Sequence, residues 1–170
     1  MAKQEFTDAI ALLKADHRKV EDLFEQFEKA KSPDRKRQLC REICTELKIH
    51  TMIEEEIFYP ALRGKIEDDT LDEAYVEHDG AKVLVNDLET ASPEDDFYDA
   101  KVTVLSEEIK HHVKEEEMAR EGMFAQAREA DVDLVALRDQ MMARKEELMA
   151  TAQGAGLPVA KPSAVNLVTA

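Results

Sequence analysis

Side chains that commonly bind metals interrupt four stretches of the sequence that otherwise place hydrophobic residues at helical spacing. Each stretch contains one histidine in its apolar series, and two of these histidines are followed four residues later by a glutamate. Residues four apart project from the same face of a helix, so each such pair can reach one metal ion or two adjacent ions. The candidate ligands are His17, His50, Glu54, His78, His112 and Glu116.

Six polar side chains that face one core require compensation. Burying a carboxylate without a partner costs several kcal/mol, a large part of the roughly 5–15 kcal/mol by which a domain is stable. A single histidine on an apolar face is most simply a core residue, but four of them on four helices favour a shared site. The sequence therefore predicts metal ions in the interior, and a bundle with unrelated interior histidines is the alternative.

The ligand types limit the metals that suit such a site. Imidazole and carboxylate suit iron, manganese or zinc, and the lack of thiolate argues against a structural zinc site. Six protein ligands for two ions leave coordination positions open for water, dioxygen, peroxide or nitric oxide. A ferritin-like site needs a glutamate three residues before a histidine on two helices, and only Glu108 with His111 has this spacing.

The fourth stretch offers two histidine and glutamate pairs with the same spacing. His111 and Glu115 each lie one residue before His112 and Glu116. The apolar series that includes Ile109 continues through His112, so we predict that the later pair faces the interior. His111 and Glu115 are then neighbours of the ligands or alternative ligands.

Two tyrosines and two further glutamates lie near the candidate ligands. Tyr75 could supply a phenolate, but a buried tyrosine that packs at the edge of the core is the simpler interpretation. We predict that Tyr59 closes the second helix in the same way. Glu55 and Glu117 are predicted to be solvated, although Glu55 could reach a metal if its helix rotates.

The elements that must position these residues are helical. Periodic hydrophobic residues predict helices over about residues 7–30, 33–64, 70–90, 93–126 and 133–150. The first four helices are long and joined by short connections. This pattern predicts an all-α fold, an antiparallel up-down-up-down four-helix bundle with a short additional C-terminal helix. We predict one domain over residues 1–152, with its core at 7–126, followed by a flexible C-terminal tail over residues 153–170.

Charge and composition argue against some partners and locations. The sequence has 23 basic and 38 acidic residues, a formal net charge of -15, which would repel nucleic acid or an anionic membrane. We therefore predict no nucleic acid and no membrane as partners. The first twenty residues carry charges throughout and lack the apolar core of a signal peptide, so a cytoplasmic location is expected. Cys40 and Cys44 are expected to be reduced thiols.

The motifs around the candidate ligands resemble those of the hemerythrin-like family, also called the HHE cation-binding domain. The resemblance covers about residues 7–126, and its specificity comes from the combination of motifs, since any one alone would be weak. The motifs are DH at Asp16 and His17, HTMIEEEIFYPAL from His50 to Leu62, EH at Glu77 and His78, and HHVKEEE from His111 to Glu117.

This resemblance implies a non-haem di-iron centre, with two iron ions (Fe2+ or Fe3+) joined by an oxo or hydroxo bridge. It also implies how the ligands divide between the ions. By analogy, the ligands would be Glu54 and Glu116 as bridging carboxylates, His17 and His50 on one iron, and His78 and His112 on the other.

One departure from the family pattern bears on function. Oxygen-carrying members have a further histidine four residues from the first on the third helix, where this sequence has Ala74 and Lys82. The missing ligand leaves an additional open position, which favours reaction over carriage. We therefore expect reaction with dioxygen or hydrogen peroxide, and with nitric oxide as a further ligand, in peroxide decomposition or in the response to oxidative or nitrosative stress.

Whether the chain is an enzyme stays open from the sequence. The enzymatic candidate is a di-iron peroxidase or a catalase-like oxidoreductase, whose partners would be small molecules. The alternative is a module that binds oxygen or nitric oxide reversibly, stores it, or senses iron or oxygen without turnover.

Overall fold

The computed structural model describes residues 5–168. Residues 1–4 of the predicted domain and residues 169–170 of the predicted tail lie outside the described residues. All regular structure from residue 5 to residue 168 is helical, which confirms the predicted all-α class. No helix in that part of the chain combines the length and the apolarity needed to cross a bilayer. The helices are α1 (Ala9–Lys29), α2 (Pro33–Ile53), α3 (Tyr59–Leu62), α4 (Asp68–Thr90), α5 (Tyr98–Glu117), α6 (Met123–Glu129) and α7 (Leu134–Gln153), and a π-helical turn at Glu54–Phe58 joins α2 to α3.

Four long helices, α1, α2, α4 and α5, form the bundle. Around it, α1 neighbours α2, α2 neighbours α4, α4 neighbours α5, and α5 neighbours α1. In each neighbouring pair, residues late in one helix meet residues early in the other, so neighbours run antiparallel, as the predicted up-down-up-down arrangement requires. The contacts that set these directions are His17–His50 and Lys19–Glu46, Cys44–Val85 and Glu54–His78, His78–His112 and Asp87–Lys101, and His17–Glu116 and Phe27–Tyr98.

The bundle buries two hydrophobic clusters at different heights. One cluster includes Leu13 of α1 and is completed by residues of α6 and α7. The other includes Val20 of α1 and is built from α1, α2, α4 and α5. Along α1, His17 lies between Leu13 of the first cluster and Val20 of the second cluster. The polar candidates therefore form a layer between two apolar clusters.

Local signals fix where α1 and α2 begin. The side chain of Asp8 accepts a hydrogen bond from the backbone N–H of Ala11 at 2.8 Å, and Ser32 accepts one from Arg35 at 3.2 Å. Pro33 follows as the first residue of α2. Such caps satisfy N–H groups that have no partner within the helix, and the predicted start at Ser32 and Pro33 is confirmed.

Helix α5 begins later than predicted. We expected it to start at Pro93, but it begins at Tyr98. The side chain of Asp95 accepts a hydrogen bond from the backbone N–H of Ser92 at 2.8 Å, and Phe97 has a left-handed backbone with φ of 66°. A local turn therefore satisfies these backbone groups in place of the first helical turn.

Helix α5 also ends earlier than predicted. It ends at Glu117, so a continuous helix to Gln126 is wrong. Gly122 allows the chain to turn here, because a Cβ at this position would lie 2.5 Å from the carbonyl oxygen of Met118 and 2.7 Å from that of Glu115. The turn makes α6 a separate helix.

The remaining elements lie outside the four bundle helices. Helix α7 packs against α1, α2 and the π-helical turn, so it covers one face of the bundle. Residues 154–168 contain no helix, as predicted for the tail. The tail was predicted to be flexible, yet residues 160–165 lie against α4 and form hydrogen bonds with it. An extended segment held through its backbone needs no side-chain period, which is why periodicity did not reveal this contact.

Candidate metal centre

The structure brings all six predicted ligand residues together in the layer between the two hydrophobic clusters. Each of them is more than nine-tenths buried, and Glu54 is wholly buried. They are contributed as His17 by α1, His50 by α2, Glu54 by the first position of the π-helical turn, His78 by α4, and His112 and Glu116 by α5.

Inner atoms of these side chains are separated by distances typical of ligands on a common ion. The Nε2 atoms of His17 and His50 lie 3.2 Å apart. Those of His78 and His112 lie 3.1 Å apart. The Oε2 atom of Glu54 lies 3.2 Å from Nε2 of both His50 and His78. Two ligand atoms at about 2.0–2.2 Å from one ion, at right angles to each other, are about 3 Å apart.

Two carboxylates connect the halves of this cluster. Two buried sets have ligand atoms that all lie within 4.8 Å of one another, His17, His50, Glu54 and Glu116, and Glu54, His78 and His112; a third such set, Glu77, His111 and Glu115, lies at the surface. Glu54 belongs to both buried sets. Glu116 also faces both halves, since its Oε2 lies 3.3 Å from Nε2 of His17 and its Oε1 lies 3.5 Å from Nε2 of His112. This grouping follows the division of histidines that the family resemblance implies.

Unpartnered oxygens in the layer fit a pair of cations. Oε1 of Glu54 and Oε2 of Glu116 are buried and have no hydrogen-bond partner. A buried carboxylate oxygen that lacks a donor is costly, and a cation can satisfy it. Four imidazoles and two carboxylates suit iron, manganese or zinc. The residues present therefore fit two such ions.

The π-helical turn orients the side chains at the end of α2. Within it, the backbone N–H of Tyr59 donates to the carbonyl oxygen of Glu54, five residues earlier. This wider turn brings residues five apart onto the same side of the helix, and such turns often occur at functional sites. Both Glu54 and Tyr59 consequently point into the layer, so the predicted regular helix over residues 33–64 is wrong at this point.

The Tyr59 hydroxyl lies among the candidate ligands. Its oxygen is 2.9 Å from Oε1 of Glu116, 3.2 Å from Oε2 of Glu54 and 3.2 Å from Nε2 of His78. Burial, followed by the two nearby carboxylates, raises the pKa of Tyr59 well above its ordinary value, so the hydroxyl keeps its proton and donates it in hydrogen bonds. Only a packing role was predicted for Tyr59, because the sequence pattern did not reveal the extra residue of the π-helical turn.

Tyr75 lies farther from the centre. Its ring packs edge-on against Tyr59, with the centroids 5.2 Å apart, and the guanidinium of Arg63 lies 6.0 Å from the centroid of the Tyr75 ring. This geometry favours the packing interpretation of Tyr75 over the phenolate alternative.

A carboxylate lies at the outer ring nitrogen of every histidine in the layer. Carboxylates in this position fix the orientation of a ligand histidine and turn its other nitrogen toward the metal. Three of the pairs are at hydrogen-bonding distance: Glu117 with Nδ1 of His17 at 2.7 Å, Glu55 with Nδ1 of His78 at 3.0 Å, and Glu77 with Nδ1 of His112 at 2.5 Å. The fourth is longer, because Oδ2 of Asp16 lies 3.6 Å from Nδ1 of His50 and neither atom has a hydrogen-bond partner. The prediction that Glu55 and Glu117 are solvated is therefore wrong.

The carboxylates control the protonation of the histidines. Burial favours the neutral ring of His50, but Glu54 and Asp16 outweigh it and raise the pKa of His50 to about 10. Burial also opposes protonation of His78, while Glu54 and Glu55 raise its pKa to about 9. Positive charge between the carboxylates is thus favoured in this layer. Because ligand histidines must be neutral, a cation that binds here displaces protons.

His111 and Glu115 lie on the outside of the bundle. The His111 ring is 64% exposed, and its Nε2 lies 3.3 Å from Glu77 and 3.1 Å from Glu115. The apolar series of α5 therefore distinguished the interior pair from the surface pair. Glu77 connects the two, because its other oxygen accepts the hydrogen bond from His112.

A small cavity lies beside the four histidines of the layer. Its volume is about 20 Å³, enough for one water-sized molecule. Its apolar walls include Leu47, Ile109 and Val113. The space next to the histidines thus suits a ligand of two or three atoms.

Comparison with known proteins agrees with this fold and identifies a family. A model of the family described as Hemerythrin HHE cation binding domain matches residues 8–127. A curated protein named DNA nickase, from Nostoc sp., is 27% identical over 106 residues, which are 62% of this chain and 30% of that relative. The chain therefore spans less than a third of that relative's length.

A solved structure shares the fold. The crystal structure of a Hemerythrin HHE cation binding domain-containing protein, the Rv2633c homolog from Mycobacterium kansasii, superposes with a TM-score of 0.72 and 24% identity. The match covers 89% of this chain and 96% of that chain. Because the family model spans most of the bundle and includes every candidate ligand, the chain belongs to the hemerythrin family with the HHE cation binding domain.

Proposed function

We propose that the candidate metal centre binds two iron ions and reacts there with dioxygen or hydrogen peroxide, and with nitric oxide as a further ligand. One observation carries this proposal. Six buried side chains form two sets whose ligand atoms lie within 4.8 Å of one another, and Glu54 belongs to both sets. Bound iron would supply the change of oxidation state that such small molecules require.

Each ligand has a distinct task in this proposal. Glu54 and Glu116 face both halves, so they would bridge the ions, and their negative charges would offset part of the positive charge of the metals. The remaining ligands would divide as His17 and His50 on one ion and His78 and His112 on the other. The carboxylates at the Nδ1 atoms hold the rings in place and increase the basicity of the nitrogens that face the metals.

The surroundings support a small ligand. The layer lies between two hydrophobic clusters, which keep bulk water away, and the cavity beside the four histidines has a volume of about 20 Å³. A second cavity, of about 150 Å³, reaches His112 and Glu116 from the side of α4 and α5. A molecule with two non-hydrogen atoms, such as dioxygen, peroxide or nitric oxide, can reach the layer from this second cavity.

Tyr59 supports reaction with such a ligand over simple storage. Its hydroxyl keeps a proton within hydrogen-bonding distance of both bridging candidates. A proton held at this oxygen can be donated to a small oxygen ligand as that ligand gains negative charge. Lys82 occupies one of the two positions at which oxygen-carrying family members could have their further histidine. Its side chain contacts Glu55 and Asp79, so His78 is the one candidate ligand that α4 contributes to the layer.

The proposed partners remain small molecules in the cytoplasm. The net charge of -15 opposes binding to a phosphate backbone. The name of one relative, DNA nickase, suggests nucleic acid as the alternative partner, but the match covers only 30% of that relative. Retention on a DNA column at physiological salt would contradict the expected lack of nucleic-acid binding.

Metal analysis and peroxide turnover test the proposal together. Protein purified from iron-fed cells should contain two iron ions per chain, and it should consume hydrogen peroxide faster than an equal amount of free iron. His112→Ala should lose at least one of the two iron ions and the turnover. A protein that purifies with iron but binds dioxygen or nitric oxide reversibly, without turnover, would support the alternative of storage or sensing.

A further inference from the structure

The C-terminal segment over residues 160–165, here called the C-terminal clasp, is bound to α4 through its backbone. Asp79 of α4 is 1% exposed and accepts three backbone hydrogen bonds. The donors are the N–H groups of Ser163 at 2.8 Å, Ala164 at 2.6 Å and Val165 at 2.7 Å. Hydrogen bonds to a carboxylate are stronger than those between neutral groups, so this end of the segment is firmly held.

A second anchor holds the other end of the C-terminal clasp. The Asn86 side chain donates to the carbonyl oxygen of Ala160 at 2.8 Å and accepts from its N–H at 3.0 Å. Seven helical residues separate Asn86 from Asp79, a rise of about 10 Å. Three extended residues separate Ala160 from Ser163, which also span about 10 Å. The spacing of the two anchors thus matches an extended chain that runs antiparallel to α4.

The C-terminal clasp reaches the candidate metal centre through one carboxylate. Oγ of Ser163 donates to Oε2 of Glu55 at 2.6 Å, and Nζ of Lys82 donates to the same oxygen at 3.0 Å. The other oxygen of Glu55 lies 3.0 Å from Nδ1 of His78. Ser163, Glu55 and His78 therefore form a continuous chain of contacts from the tail to the interior.

The opposite half of the centre has an equivalent carboxylate without this support. Glu117 lies 2.7 Å from Nδ1 of His17, as Glu55 does beside His78. Its charged partner is Arg18, at 2.6 Å, which is 57% exposed. The contacts of the C-terminal clasp involve Glu55 but not Glu117. Loss of the clasp should therefore affect the two halves unequally.

We propose that the C-terminal clasp positions Glu55 and thereby strengthens metal binding by the half of the centre that contains His78. Ser163 is the positioning residue, because it acts on the metal ligand through Glu55. The inference rests on the proposed function, since it requires two metal ions in the bundle. Removing an outer partner of a ligand histidine typically weakens metal binding about 10–100-fold.

Metal titration of the full chain tests this inference. Co2+ is a suitable probe, because it accepts the same ligand types and can be followed by absorption and calorimetry. The unchanged chain should bind two ions. Ser163→Ala should weaken one of them severalfold, by less than loss of Glu55 itself because Lys82 still contacts both oxygens of Glu55, and should leave the other unchanged. Ser163→Thr, which keeps a hydroxyl, should restore the original affinity.

Two further variants separate positioning from a general loss of structure. Asn86→Ala releases the distant anchor without touching Glu55, and it should weaken the same ion as Ser163→Ala. In a His78→Ala background, the remaining ion should be insensitive to Ser163→Ala. A general structural role would instead weaken both ions, which would overturn the inference.

Hydrogen exchange provides a readout that does not depend on metal. The backbone N–H groups of residues 163–165 should be protected in the unchanged chain and should exchange faster in Asn86→Ala. Equal affinity of Ser163→Ala and the unchanged chain for both ions would overturn the role of the C-terminal clasp while leaving the proposed function intact. Failure of the unchanged chain to bind any Co2+ or iron would instead remove the proposed function.

Discussion

Tyr59 and Phe124 occupy equivalent positions on the two sides of the candidate metal centre. The ring of Phe124 stacks on His17, with centroids 5.7 Å apart and planes 8° apart. The ring of Tyr59 stacks on His78, with centroids 5.3 Å apart and planes 23° apart. The two halves thus share their ring packing, but only Tyr59 adds a hydroxyl, which reaches Glu54 and Glu116.

This difference predicts the effect of Tyr59→Phe. The variant keeps the stacked ring and removes the hydroxyl, so we expect two iron ions to remain bound. The reaction with hydrogen peroxide should slow by about 100-fold, because a positioned proton donor typically contributes at least that factor. Metal content and the rate of peroxide consumption, measured on the same preparation, check both expectations.

Tyr75→Phe is the matched control for this change. It removes the same atom from a ring that packs against Tyr59 but does not reach the carboxylates. Its metal content and its rate should equal those of the unchanged chain. If Tyr59→Phe reacts as fast as Tyr75→Phe, the proton on Tyr59 has no part in the reaction.

The adjacent histidines of α5 allow a sharp test of the ligand assignment. His112→Ala should reduce the iron content to one ion or none, because it removes an inner nitrogen from a closely spaced cluster. His111→Ala should retain two ions, since this ring is 64% exposed and contacts Glu77 and Glu115 rather than the interior candidate ligands. Iron per chain is measured by elemental analysis. Loss of iron in His111→Ala with retention in His112→Ala would reverse the assignment.

The side chains that meet in the layer could be predicted from the sequence because their spacing within each helix is a local property. His50 and Glu54 lie four apart in an apolar series, and so do His112 and Glu116. Helical geometry then places each pair on one face whatever the rest of the fold does. The same local geometry distinguishes His112 from His111, because only His112 continues the apolar series of its helix.

The outer partners of the histidines could not be predicted in this way. Glu55 bonds His78 on another helix, and Glu117 bonds His17 on another helix, so neither contact leaves a periodic signal. The π-helical turn that directs Tyr59 inward depends on one extra residue in a turn, which side-chain spacing alone does not reveal. The sequence pattern therefore does not reveal contacts between different helices.

The outer carboxylates provide a third prediction. Glu117→Ala removes the partner of Nδ1 of His17, so we expect one metal ion to bind about 10–100-fold more weakly. Glu21→Ala is the control, because Glu21 pairs with Arg18 as Glu117 does but touches no histidine. Calorimetric titration with Co2+ measures both variants. Equal affinities in Glu117→Ala and Glu21→Ala would contradict the role assigned to Glu117.

Removal of the metal should destabilise the bundle. A metal that binds the folded layer and not the unfolded chain adds about 2.7 kcal/mol to the free energy of unfolding when its free concentration is 100 times its dissociation constant. We therefore expect a chelator to lower the thermal unfolding temperature of the iron-loaded chain. His112→Ala, which should bind one ion or none, should show a smaller difference in unfolding temperature with and without the chelator. If the chelator does not change the unfolding temperature of the unchanged chain, metal binding does not stabilise the fold.

The turn before α6 yields the last prediction, Gly122→Ala. A Cβ at Gly122 would lie 2.5 Å from the carbonyl oxygen of Met118, and backbone atoms cannot move aside as a flexible side chain can. The turn must therefore open, which would shift Phe124 away from His17, and we expect a loss of about 1–3 kcal/mol in the free energy of unfolding.

Gly154→Ala separates this steric effect from the general consequence of replacing a glycine. Its Cβ would lie 3.5 Å from the carbonyl oxygen of Ala150, an ordinary contact, so its stability should change little. Urea unfolding of both variants measures the difference. Equal midpoints would show that the chain can turn after α5 without a glycine, and the position of Phe124 would then need another explanation. A lower urea midpoint for Gly122→Ala alone would show that the break between α5 and α6 is required to place Phe124 against His17 at the edge of the layer.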